Sequence, residues 1–216
     1  MATWGPTGIA ATADDGTEGE DNTWTTYPPI MGDDSTINKH GGFRFPNVTV
    51  AQGSTVSSAT LRFRAERLNG TVTSVHLTVY GDDADDAAAW SSTSRPSQIT
   101  QTTASVDWDP AAWVANSYYT VTITDIVQEI VSRGGWASGN AMRFAVLDDS
   151  STDSNFIRCY DYTDGGGANY NVQLTIEYTA GGAGLTFTAT DAQGTQADTT
   201  AGFRTMAATV TDNLNA

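Results

Sequence analysis

Three stretches of this chain alternate apolar and polar residues strictly, and that period of two decides what the chain can fold into. In "ATLRFRA", Leu61, Phe63 and Ala65 fall on one side, with Arg62 and Arg64 on the other. In "SVHLTVYG", Val75, Leu77 and Val79 alternate with His76, Thr78 and Tyr80. "NVQLTIEY" sets Val172, Leu174, Ile176 and Tyr178 against Gln173, Thr175 and Glu177. Successive side chains of a β-strand point to opposite faces, so each stretch reads as a strand with one buried and one solvated face. "AMRFAVLD", with Met142, Phe144 and Val146 on one side, and "YTVTI" are further strands. Gly, Asp, Asn and Ser clusters separate them at turn-like intervals. Many short strands with one buried face predict an all-β, antiparallel, jelly-roll-like β-sandwich.

One segment breaks the alternation. "TDIVQEIVSRGG" places Ile126, Val127, Ile130 and Val131 on a single helical face and predicts one short α-helix over about 125–133. Asp125 is expected to cap its start, with Gln128 three residues on. Arg133 suits its carboxyl end, and Gly134 is expected to terminate it in the left-handed conformation.

Near residue 180 the character changes. "TAGGAG" reads as a joint between a sandwich domain, 1–180, and a C-terminal extended arm, 181–216. The last 32 residues, from Leu185, are small, polar and Thr-rich. Such a piece buries too little surface to fold alone, so it is expected to dock on its own sandwich or on a neighbouring subunit. Leu185, Phe187, Phe203 and Met206 would make that contact.

Charge narrows the partners. The 216 residues carry 25 acidic side chains against 10 basic ones, a net charge of −15, with Lys39 the only lysine. Such a chain repels phosphate backbones, which argues against nucleic acid. No apolar run approaches the ~18 residues of a membrane helix, so no membrane partner is expected. The surplus carboxylates suit hard cations, and a structural calcium is the one cofactor they suggest. Three acidic loops offer ligands: "DDGTEGED", "GDDADDAAAW" and "LDDSSTDSN". The second, with Asp82, Asp83, Asp85 and Asp86, is the candidate metal site, although none has the spacing of an EF-hand.

Little points to catalysis. Cys159 is the only cysteine, so no intrachain disulfide forms, and in "NFIRCYDY" it reads as a small apolar group in a strand. His40 and His76 lie 36 positions apart and form no zinc spacing with it. There is no G-x-S-x-G elbow, P-loop or dinucleotide fingerprint, and "DGGGAN" reads as a turn. No catalytic residues are assigned.

From about Gly42 to Tyr178 the chain resembles a β-sandwich family found in phage virion proteins and bacterial surface proteins. The resemblance rests on "FRFPNVTVAQGSTVSSATLRFRA", "SVDWDPAAW", "ITDIVQEIVSRGGWASGNAMRFAV", "RCYDY" and "VQLTIEY". More distantly it is similar to jelly-roll carbohydrate-binding modules. The resemblance implies a structural or adhesive role and puts Trp108, Trp113 and Trp136 in framework packing. One departure is Gly134, where relatives often have proline, which should loosen the helix terminus. Trp4, Trp24, Tyr27, Trp90, Tyr118 and Tyr119 remain as glycan or partner contacts, and Arg158 is expected to pair with an acid.

The opening "MATWGPTGIA ATADDGTEGE" has no basic region, apolar run or cleavage site of a signal peptide. A phage virion protein, made in the host cytoplasm and released by lysis, reconciles that start with a robust exposed sandwich. The expected function is therefore a capsid decoration protein, or a tail or fibre protein, with other virion proteins and further copies of itself as partners. The alternative is an extracellular carbohydrate-binding or cell-surface adhesion module, with glycans as partners.

Overall fold

Each of the five stretches named above forms a strand. The computed structural model describes residues 1–26, 28–35, 37–163 and 171–181, all within a unit spanning Met1–Gly182. Among them, twelve strands run in the order β1 (Ala2–Gly8), β2 (Asp15–Gly19), β3 (Trp24–Thr25), β4 (Ile30–Asp33), β5 (Asn38–Phe45) and β6 (Thr55–Asn69). Then follow β7 (Leu77–Asp82), β8 (Gln101–Trp108), β9 (Tyr118–Thr122), α1 (Thr124–Ser132), β10 (Met142–Asp148), β11 (Phe156–Cys159) and β12 (Gln173–Thr179). Tyr27 and the arm residues Leu185, Phe187, Phe203 and Met206 lie outside the described residues.

The pairing is antiparallel throughout and follows the path β1-β12-β6-β11-β4-β5-β10-β7-β8. The 15-residue β6 joins the two layers of this curled sheet. Its first part pairs with β12 and β9, and its last five residues, beyond Arg64, pair with β11. β2 and β3 extend the second layer beside β5.

Alternation fixes which side of each strand is dry. Leu61, Phe63 and Ala65 of β6 and Leu77 and Val79 of β7 are fully buried in one core. Phe63 joins the layers: its ring stacks on Trp108 of β8 at 4.8 Å between centroids and meets Phe43 of β5 edge-on at 5.3 Å. Each such ring contributes a few kcal/mol of apolar burial and aromatic contact. The three framework tryptophans are buried, and two are anchored by their indole N–H. Trp113 donates to the Arg158 carbonyl and Trp136 to that of Val50.

The helix lies where the 3.6-residue period put it, with Ile126, Val127, Ile130 and Val131 buried. It packs on β6, β7 and β8. Gly81 of β7 allows the close approach, because a Cβ there would sit 2.7 Å from Ile126 Cγ2. Its ends differ from expectation. Asp125 is in the first turn but makes no side-chain cap, and the N-cap position before Thr124 is held by Ile123. Gln128 instead ties the helix to the start of β6, accepting from Val56 N at 2.8 Å and donating to the Ser54 carbonyl at 3.1 Å. The chain leaves the helix through Arg133 in an extended conformation (φ −60°, ψ 140°), so Gly134 is not the left-handed terminator.

Candidate functional site

The acidic loop after β7 is occupied by protein partners. Asp82 is buried and accepts from Arg143 Nε at 2.6 Å. Arg133 reaches from the end of α1 to both Asp83 and Asp85. Asp86 accepts from the Ala141 amide at 2.8 Å. These four carboxylates are therefore taken up by three donors, Arg143, Arg133 and the Ala141 amide, and among the described residues no three Asp, Glu, His or Cys side chains converge as a metal shell. The loop does not fit the calcium expected there, which needs about six oxygens around one point.

The first acidic loop has the same fate. Asp14 pairs with Arg44 at 2.7 Å, and Glu18, only 2% exposed, accepts from Arg95 Nε at 2.9 Å and from Ser97 Oγ and N. Arg44 and Arg143 also donate to carbonyls of the 83–100 segment, at Ala87 and Ala88 respectively. These arginines thus fasten that segment across the outer face of β5 and β10. Under it lies Trp90, 3% exposed, with the Arg143 guanidinium 4.4 Å from its ring.

That placement corrects the aromatic contact set. Trp90 is core, not contact, and half-buried Trp24 leans on it at 5.9 Å. Trp4 packs half-buried against the main core. Tyr119 is half-buried, stacked on Trp113 at 5.0 Å, and its hydroxyl accepts from the Val114 amide. Tyr118 alone of the described candidates is exposed, at 42%.

Tyr118 belongs to a row that sequence reading did not assemble. Arg62, Arg64 and Arg67 project from the outward side of β6, each over a ring from another segment. Arg62 lies 3.7 Å from the Tyr118 ring centre, Arg64 lies 4.7 Å from Tyr160, and Arg67 lies 5.8 Å from Phe156. Amide side chains steady the first two: Arg62 donates to Gln173 Oε1 at 3.1 Å and Arg64 to Asn116 Oδ1 at 2.8 Å. Arg158, directly opposite Arg67 in the β6–β11 register, pairs with Glu66 as expected. Among the described residues neither Arg62 nor Arg67, both exposed, has a carboxylate within ion-pair distance. A guanidinium stacked on a ring keeps its N–H edge available for a planar oxyanion. Alternation had put Arg62 and Arg64 on the wet side, but the rings beneath them come from β9 and from residues near β11, about 55 to 95 positions away.

Two buried titratable groups serve the fold. His40, 7% exposed, accepts through Nδ1 from the Asp148 amide at 3.0 Å. Burial pulls its pKa below the ordinary value, against the opposing pull of Glu18, Glu20 and Asp148. Cys159 is fully buried in β11, and burial, reinforced by Asp15, Asp161 and Glu66, pushes its thiol well up. Among the described residues no helix is long and apolar enough to cross a membrane. Compared with known proteins, the chain matches no family model and no curated protein sequence.

Proposed function

We propose that this chain is a structural component of a phage virion, a capsid decoration protein or a tail or fibre protein, that attaches by contact and carries out no reaction. The observation that supports this reading is the outward row of Arg62, Arg64 and Arg67 laid over aromatic rings. Arg and Tyr are the residues most enriched where protein contacts concentrate their energy. Planar, pre-stacked side chains also lose little freedom on docking. The sandwich beneath is pinned by buried arginine–carboxylate pairs, which suits a rigid platform.

The test is incorporation. Particles of the phage whose genome encodes the chain should contain it in stoichiometric amount by mass spectrometry. The R62E/R67E variant, supplied in its place, should be depleted from the particles while remaining folded. Absence of the chain from purified particles contradicts the reading.

One observation favours a second reading, a carbohydrate-binding or adhesion module. The exposed Tyr118 ring stands in the same row as the amides of Asn116 and Gln173, which hydrogen-bond Arg64 and Arg62. Saturable binding on a glycan array, unaffected by chelator and lost in Tyr118→Ala, would favour it.

A further inference from the structure

The stack of Phe63 on Trp108 fixes where two sets of charges lie. Phe63 and Trp108 point into the core from opposite layers, so their strand neighbours Arg62 and Asp107 point out of opposite faces. Asp107 is registered with Thr78 across the β7–β8 pair, and the Thr78 hydroxyl donates to Asp149 Oδ2 at 3.1 Å. Asp109 follows at the end of β8, beside His76 at 3.0 Å. Asp107, Asp109 and Asp149 are all exposed. Arg62 and Asp107 thus face out on opposite sides. Arg67, like Arg62 without a carboxylate within ion-pair distance among the described residues, follows it along the outward side of β6. Asp109 and Asp149 lie close to Asp107 at the β7–β8 edge.

We infer that these two faces bind each other between copies of this chain, giving a head-to-tail contact in which the β6 arginines of one copy meet the β7–β8 acids of the next. The inference deepens the holding role proposed above by naming the partner. Charge complementarity singles out a second copy. The arginine row needs an acidic surface, and with a net charge of −15 the chain itself supplies one on the side away from the row. Average repulsion between copies is screened beyond ~8 Å at physiological ionic strength, so the local match governs the contact. Because the two faces differ, the contact is heterologous: it propagates into a row or closes into a ring rather than stopping at a two-fold dimer. Salt acts in both directions. Low salt restores repulsion between copies and high salt screens the pairing, so association should peak between them.

Sedimentation velocity on the full chain tests this. The wild type should form dimers and larger species at intermediate salt. R62E/R67E and D107K/D109K should each associate about tenfold more weakly or not at all, tenfold corresponding to ~1.4 kcal/mol. An equimolar mixture should recover association as hetero-oligomers of alternating variants, since the intact arginine face of one meets the intact acids of the other and the two charge-reversed faces also complement each other. All four positions are exposed, and near-UV circular dichroism confirms that the variants keep the native fold. A wild type that stays monomeric at the highest concentrations overturns the inference, as does a mixture that yields no hetero-oligomers. Either result leaves incorporation into particles, which is read separately, untouched.

Discussion

Arg44 and Arg143 stand directly opposite each other in the β5–β10 pair, and each is held by its own largely buried aspartate, Asp14 and Asp82. Like charges facing across strands are unfavourable, so the two carboxylates neutralise a repulsion that the register would otherwise impose. Removing one should cost more than a surface pair would. Asp82→Asn should lower unfolding stability by about 3–5 kcal/mol, because it strands the buried Arg143. The double variant D82N/R143M should recover a large part of that loss. Urea denaturation reads both, and a single-variant effect within about 0.5 kcal/mol, the range of an ordinary surface change, would contradict the account.

The His40 imidazole is needed neutral, since its Nδ1 accepts from the Asp148 amide. Its folded pKa lies below the ordinary 6.5 because it is buried. The stability it contributes is therefore fully present above pH ~6.5 and is lost as pH falls below that value. Asp148 shifts upward by burial, and its contribution has the opposite sign in a lower window: it is present at acid pH and lost as pH rises through its folded pKa. Melting temperature should fall from pH 7 toward pH 5.5, and His40→Gln should flatten that slope. An unchanged slope in the variant would remove His40 as its cause.

Cys159 is inaccessible and held as a thiol. Aromatic disulfide reagents should leave it unmodified in the native protein and label it only as fast as the protein unfolds. Prompt stoichiometric labelling would show that β11 opens locally.

Calcium should have no stabilising effect through the loop after β7, because Arg143 and Arg133 already hold Asp82, Asp83 and Asp85. Thermal melts with calcium or with EDTA should superimpose. A chelator-sensitive melt that disappears in D83N/D85N would restore the metal reading.

The layers and the helix were legible because their signals are local, a period of two and a period of 3.6, whereas the burial of Trp108, Trp113 and Trp136 was implied by the family resemblance. The partners of the acidic loops were not legible, for a physical reason. A carboxylate that binds calcium and one that binds arginine look alike in sequence, and the partners of Asp14, Glu18 and Asp82 lie 30, 77 and 61 positions away. Trp90 was misassigned in the same way. Its sequence neighbours are small and polar, and it becomes buried only where the arginines fasten the 83–100 segment and it packs with Ile99, Ala145 and Trp24. The arginine row was half legible, with the outward side of β6 plain from alternation and its aromatic companions set by strand register.

Arginine modification most directly tests whether the outward side of β6 is the surface by which this chain holds on. Free protein and particle-bound protein should be treated with an arginine-specific dicarbonyl reagent and compared residue by residue by mass spectrometry. Arg62 and Arg67 should react readily in the free chain at concentrations too low for self-association and be protected in the particle, while the buried Arg95 stays unreactive in both. Equal modification of Arg62 and Arg67 in the two states would contradict the account.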